Sequence, residues 1–239
     1  ASLLGIDAPI VMPRFTPATK VAATQAWDAN VVLAGDDFAQ ASGTAAELQK
    51  QDGRVLVHPF NDPAVIAGQG TAALELLQDA PDIDTVVVPI GGGRLIGGFA
   101  TVMAALRPDV EVIGVQVEAY ASLSSYPKED GPTLGGSTIA EGIAVTKLGD
   151  HCLSAFRNKV SKILVVSELQ VESAVTTLAE KAKQVCEGAG ATGLPPFLPI
   201  LNCSKDATSP CRFQAATSTP AFSPIRSCAP CSGMDGSCG

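Results

Sequence analysis

The chain has 239 residues, 46% hydrophobic and 17% charged, enough apolar material to core one large domain or two small ones. A formal net charge of −8, with no cluster of basic residues, argues against a nucleic-acid partner and for a small-molecule one. No apolar run reaches the roughly 18 residues of a membrane span, and the opening "ASLLGIDAPIVMP" has neither the charged start nor the cleavage site of a signal peptide.

Short β-branched runs alternate with helix-like stretches, the pattern of an α/β protein with parallel strands. Strands are expected at "PIVMP" (9–13), "NVVLAG" (30–35), "RVLVHPF" (54–60), "DTVVVPIGGG" (84–93), "EVIGVQVE" (111–118) and "KILVVS" (162–167). Helices are expected at 17–27, 37–51, 62–79, 94–106 and 168–186. Asp36-Asp37 and Asp62-Pro63 read as helix starts, because an acidic cap accepts otherwise unpaired N–H groups and proline suits the first helical position. Before Pro195 the only cysteines are Cys152 and Cys186, both beside apolar residues. Two scattered thiols suit a reducing compartment, which points to the cytoplasm.

The most informative stretch is "VVVPIGGGRLIGGFATVMAALRP", which sets Gly91, Gly92 and Gly93 between a buried strand and a helix. Glycines let backbone approach a ligand and turn several N–H groups toward one point, and the helix N-terminus adds a favourable dipole. An anion such as phosphate is the expected guest; a tight turn without a ligand is the alternative. A dinucleotide fingerprint fits less well, since no acidic residue clearly ends the next strand.

In order along the chain, "VLVHPFNDPAVIAGQGTAALELL", "VVVPIGGGRLIGGFA", "GGSTIAEGIAV" and "EGAGATGL" resemble the threonine dehydratase (threonine ammonia-lyase) branch of the fold type II pyridoxal-phosphate enzymes. The resemblance covers residues 1–194 nearly continuously. It implies an α/β fold like the tryptophan synthase β subunit, with a partial small domain at 1–60 and a large cofactor domain at 61–194. It implies pyridoxal 5'-phosphate as cofactor, its phosphate held by Gly91, Gly92, Gly93 and Leu95. Arg94 stands where the family usually has a fourth glycine; its guanidinium would either add a phosphate contact or obstruct the loop if the backbone there needs positive φ. By the same resemblance Glu187 lies beside the cofactor ring and Glu141 and Gly142 near the site entrance. The residues alone read Glu187 equally as a helix-terminal carboxylate satisfied by backbone N–H groups. Gln116 and Glu118 of "VQVEAY" match a cation site of relatives only loosely, and no metal is expected. The implied substrate is L-threonine, with L-serine and a serine racemase or serine dehydratase as runner-up. The implied setting is amino-acid metabolism such as isoleucine biosynthesis, in a family whose members are often homo-oligomers. A non-catalytic module that binds a phosphate ligand is the reading from a different class.

The family holds its cofactor on a lysine in a Ser-Phe-Lys-type motif ahead of an Asn-bearing loop, and neither motif occurs here. None of the nine lysines, Lys20, Lys147 and Lys162 among them, stands in that context. The expectation is therefore an N-terminally incomplete piece of the fold, with no catalytic residue to assign. From Pro195 the last 45 residues hold five of the seven cysteines, seven of the seventeen prolines and only five charges. Cys228-Ala-Pro-Cys231 lacks a second pair at zinc-ligand spacing. Back-translated and read one base earlier, "QAATSTPAFSP" gives Gly-Gly-Asn-Ile-Asp-Thr-Arg-Leu-Leu-Ala with permitted synonymous codons. The codons spanning Arg212, Phe213 and Gln214 give Val-Ser just ahead of it. That restores the family's Ser-Gly-Gly-Asn motif, so residues 195–239 are expected to be an out-of-frame translation with little regular structure. A divergent cysteine-bearing interaction tail is the rival.

Overall fold

"TVVVP" becomes the buried centre of a parallel sheet, as its unbroken β-branched run requires when both faces are covered. The computed structural model describes residues 1–124, 135–197 and 213–215. The chain divides into two compact units, 1–57 and 58–239.

In the first unit, β1 (Pro9–Met12) and β2 (Asn30–Leu33) pair in parallel, Pro9 opposite Asn30, with α1 (Ala18–Gln25) between them in sequence. Helix α2 (Phe38–Asp52) begins where Asp37 accepts the Gln40 N–H at 2.8 Å and ends at Gly53, whose left-handed φ of 64° glycine adopts without the cost a β-carbon brings. Arg54 closes the unit through Asp52 at 2.9 Å and Asp7 at 2.8 Å. The strand expected at 54–60 does not form. Val55 and Val57 stay exposed (88% and 67%), and no strand lies beside them among the described residues. A β-branched run without a partner has no ladder to join, so propensity alone does not make a strand.

In the second unit the sheet order is β5-β4-β3-β6, all neighbours parallel: β3 (Thr85–Pro89), β4 (Glu111–Val117), β5 (Lys162–Val166) and β6 (Phe213–Ala215). β6 pairs with β3 by Thr85–Phe213 register, regular structure inside a tail expected to have little; the rest of 198–239 lies outside the described residues. Helix α3 (Pro63–Asp79) starts on Asp62, which accepts from Ala64 N–H at 2.7 Å, with proline at the first position. Helix α4 (Arg94–Leu106) packs on α3 with backbone against backbone: a β-carbon built at Gly98 would lie 2.5 Å from the Gly70 nitrogen. Val86, Val88, Ile96, Phe99, Met103 and Phe156 share the main core. Gly114 of β4 leaves the space that Ile90 fills, a built β-carbon lying 2.4 Å from its Cδ1.

Two elements depart from the expected helices. α5 (Asp150–Phe156) has no counterpart among them, being too short for a periodic signal, though Cys152 and Phe156 stand at i, i+4 and both are buried. The helix expected over 168–186 is α6 (Glu168–Thr177), started by a Ser167–Gln170 capping box, followed by a π-turn at Leu178–Ala182. Lys183 then takes φ 56° and Gln184 N–H reaches the Leu178 carbonyl at 3.0 Å, which ends the helix by geometry rather than by a breaker residue. No described helix is long and apolar enough to cross a membrane.

Candidate functional site

The end of β3 and the start of α4 are separated by Ile90-Gly91-Gly92-Gly93. Ile90 N–H still bonds Val115 at 2.8 Å, and Gly97 N–H returns to the Gly93 carbonyl at 2.9 Å. Between those two bonds the N–H groups of Gly91, Gly92 and Gly93 have no acceptor among the described residues, although Gly91 and Gly93 are buried. Buried N–H groups without partners are costly, so this loop suits an acceptor from outside the described residues. Gly93 is the N-cap of α4 and has φ 93°, a left-handed value that a side chain adopts only under strain. Arg94 avoids that region, because the turn falls one residue earlier and Arg94 is already helical.

Each glycine is also hemmed in from behind. A β-carbon at Gly91 would lie 2.8 Å from Ile143 Cα, at Gly92 2.4 Å from the Phe60 ring and at Gly93 2.9 Å from Cys152 Cβ. The walls are themselves fixed. The Pro59 carbonyl accepts from Arg94 Nη1 at 2.7 Å, and the Phe60 carbonyl accepts from Cys152 Sγ at 3.1 Å. Asn61 Oδ1 accepts His151 N–H at 2.9 Å, and His58 Nδ1 accepts both Phe60 and Asn61 N–H groups. Gly149 N–H bonds the Gly92 carbonyl at 3.2 Å, tying α5 to the loop. Burial pushes the Cys152 thiol up to about 11, the Arg94 charge pulling the other way. Burial and the neighbouring Glu187 carboxylate raise Cys186.

The second half of the site arrives from two other segments. Glu141–Ile143 forms a short 3-10 turn in which Glu141 and Gly142 are exposed and Ile143 is buried. Gly142 faces Glu187, since a β-carbon there would lie 3.3 Å from Glu187 Oε1 and 3.0 Å from Ala189 Cβ. Glu187 precedes α7 (Gly188–Ala191) and makes no side-chain cap hydrogen bond to it. The structure thus brings Gly91, Ile143, Gly142 and Glu187 into one chain of close approaches. The Leu95 side chain turns into the core, leaving only its backbone for the loop. Gln116 is fully buried and internally satisfied, donating to Ser122 Oγ at 3.2 Å and accepting Leu123 N–H at 2.8 Å, while Glu118 is exposed. Among the described residues no group of acidic, histidine or cysteine side chains gathers as for a metal ion. Reasoning from motifs did not single out Phe60, Asn61, Ile143 and Cys152 as site residues; "HPFNDP" was the signal that held two of them.

Three N–H groups at a helix N-terminus, two of them on buried glycines, with a guanidinium on the first turn, fit the phosphate of a cofactor. Residues 1–203 match the family model described as pyridoxal-phosphate dependent enzyme. An L-threonine ammonia-lyase of Thermotoga maritima is 44% identical over 196 residues, 81% of this chain and 49% of its own. The chain spans about half the length of the first curated relatives it matches. A threonine deaminase structure from T.th. superposes with TM-score 0.79 at 35% identity, covering 93% of this chain and 73% of that one. Maize serine racemase superposes with TM-score 0.76 at 32% identity, covering 81% and 59%. These likenesses give the parallel α/β sheets the fold type II architecture that the motifs implied. With a family model matching most of its length, the chain belongs to the pyridoxal-phosphate dependent enzymes.

Proposed function

We propose that this chain carries the cofactor-phosphate site of an L-threonine ammonia-lyase, an enzyme converting L-threonine to 2-oxobutanoate and ammonia. The observation that carries the reading is the trio of unpartnered N–H groups at Gly91–Gly93 in a loop whose walls leave no room for side chains. The sequence likeness to named threonine ammonia-lyases supports the substrate. Gly91, Gly92 and Gly93 donate to the phosphate, the Leu95 N–H and the α4 dipole add to the field, and Arg94 supplies a full positive charge beside it. Phe60 covers the back of Gly92 and keeps water off those donors, which strengthens each bond. Glu187, held against Gly142, flanks the ring, and Glu141 stands at the entrance. Pyridoxal phosphate, when bound, withdraws electrons and so makes the α-proton of an amino acid removable.

L-Serine is the second substrate, an assignment supported by the likeness to maize serine racemase. The wider setting we propose is cytoplasmic amino-acid metabolism, including isoleucine biosynthesis, in a homo-oligomer. We also read residues 195–239 as out of frame. In support, the family model ends at residue 203, short of most of the tail.

No lysine of this chain is assigned to the chemistry, so the 239 residues as written are expected to release no 2-oxobutanoate from L-threonine above a cofactor-only background. They are still expected to bind pyridoxal phosphate reversibly, in competition with inorganic phosphate, and without borohydride fixing it to one lysine. Turnover, or reduction onto a single lysine, would show that a catalytic lysine is present. Absence of phosphate-competed binding would reject the phosphate site. Restoring the reading frame and the family's lysine-bearing segment, then assaying threonine and serine, tests the activity: no 2-oxo acid from either rejects the lyase.

A further inference from the structure

Glu168 belongs to none of the segments that resemble the family's site, yet it holds one of them. As the first residue of α6 it sits in the favourable field of a helix N-terminus that the Ser167–Gln170 box already caps. Its carboxylate reaches out of the helix: Oε2 accepts from Thr138 Oγ1 at 2.9 Å and Oε1 accepts the Ile139 N–H. Thr138 Oγ1 in turn accepts Ala140 N–H at 3.1 Å. From this clamp the chain runs directly into the Glu141–Ile143 turn, whose Ile143 Cα backs Gly91 and whose Gly142 faces Glu187. The far side is closed by Gly188, where a β-carbon would lie 2.4 Å from the Ile139 carbonyl oxygen.

We propose that Glu168 is a positioning residue: through Thr138 and Ile139 it fixes segment 138–143 and thereby sets the spacing between the glycine loop and Glu187. The ligand end of this inference rests on the phosphate site proposed above; the clamp can be read without it. Charge-assisted bonds to a carboxylate are among the stronger ones in a protein, and here one carboxylate holds two consecutive residues of a segment with little regular structure of its own.

The test uses the full chain and the variants Glu168→Ala, Glu168→Gln and Thr138→Val. Amide hydrogen exchange is followed by peptide mapping, and binding is measured with inorganic phosphate and with pyridoxal phosphate. Losing the clamp is expected to speed exchange of the 139–144 amides about tenfold or more while β3 and β4 amides keep their rates. Glu168→Gln should rescue most of this, because its carbonyl oxygen still accepts from Ile139 and its amide donates to Thr138 Oγ1, whose second lone pair remains for Ala140. Thr138→Val leaves α6 and its first-turn charge intact, so it decides the question if Glu168→Ala loosens the whole unit. Affinity for phosphate and cofactor should fall in step with exchange, most in Glu168→Ala and least in Glu168→Gln. Wild-type exchange at 139–144 in both Glu168→Ala and Thr138→Val would overturn the clamp. Faster local exchange with undiminished affinity would overturn its role in the site. Should the wild type bind neither probe, the phosphate-site reading is the one that fails, and the exchange and its rescue by glutamine still judge the clamp.

Discussion

Gly68 and Gly98 are both interior helical glycines, and alanine at the two positions should act in opposite directions. In α3, a β-carbon at Gly68 has nothing within 4 Å, so Gly68→Ala gains only the helix propensity difference, about 0.5–1 kcal/mol of added stability. In α4 the same change at Gly98 gains the same propensity. Its new methyl, however, lies 2.5 Å from the Gly70 nitrogen, 2.8 Å from the Gln69 carbonyl carbon and 2.8 Å from the Ile66 oxygen. These are backbone atoms that cannot rotate away, so α3 and α4 must separate and lose contact along Ala73, Ala100 and Phe99 in the core. Overpacking of this kind costs about 1–3 kcal/mol, and toward the upper end when backbone is struck, which leaves a net loss of about 1–2 kcal/mol after the propensity gain. For a chain of this size that is a melting-temperature decrease of about 2–8 °C for Gly98→Ala against an increase of about 1–4 °C for Gly68→Ala. Differential scanning fluorimetry on the two variants beside the wild type measures both shifts. Because α4 carries the glycine loop at its N-terminus, Gly98→Ala should also weaken phosphate binding while Gly68→Ala should not. Equal shifts of the same sign would refute the claim that the two helices meet backbone to backbone.

Gly93→Ala places a side chain at φ 93° with its methyl 2.9 Å from Cys152 Cβ; the left-handed conformation alone costs about 1–2 kcal/mol, and phosphate affinity measured by titration should fall at least tenfold as the loop N–H groups turn away. Lys183→Gly relieves a left-handed lysine at the end of the π-turn and should raise stability by about 1 kcal/mol in urea titration, with no change in phosphate affinity. The Cys152 thiol, pushed up to about 11 by burial from an ordinary 9.0, stays protonated at neutral pH. Its raised value means that the folded state holds the proton more tightly than the unfolded state. The stability this contributes is whole below about 9 and is lost as pH rises through about 11. Iodoacetamide labelling mapped by mass spectrometry should therefore leave Cys152 unmodified at pH 8 in the folded chain and modify it in denaturant. Labelling of the folded chain at the denatured rate would refute its burial.

The composition and patterning of the sequence determined a good deal without any coordinates. Period and length separated helices from buried strands, since "TVVVP" admits only a doubly covered strand and Asp62-Pro63 only a helix start. The run of Gly91–Gly93 between that strand and the helix that follows it pointed to the proposed anion site, because a glycine run at a strand-to-helix junction has a local, chain-neighbour cause. What the sequence could not decide was what stands behind that loop. Phe60, Ile143 and Cys152 reach the three glycines from segments about 30 to 60 residues away along the chain, and such contacts exist only once the helices have packed. The same holds for "RVLVHPF", whose residues favour a strand but which finds no neighbouring strand to pair with among the described residues. It holds most plainly for Glu168, which by local pattern is a first-turn helix carboxylate. Only the tertiary structure shows that its two oxygens are committed to Thr138 and Ile139, because hydrogen-bond partners 29 and 30 residues apart leave no periodic mark in a sequence.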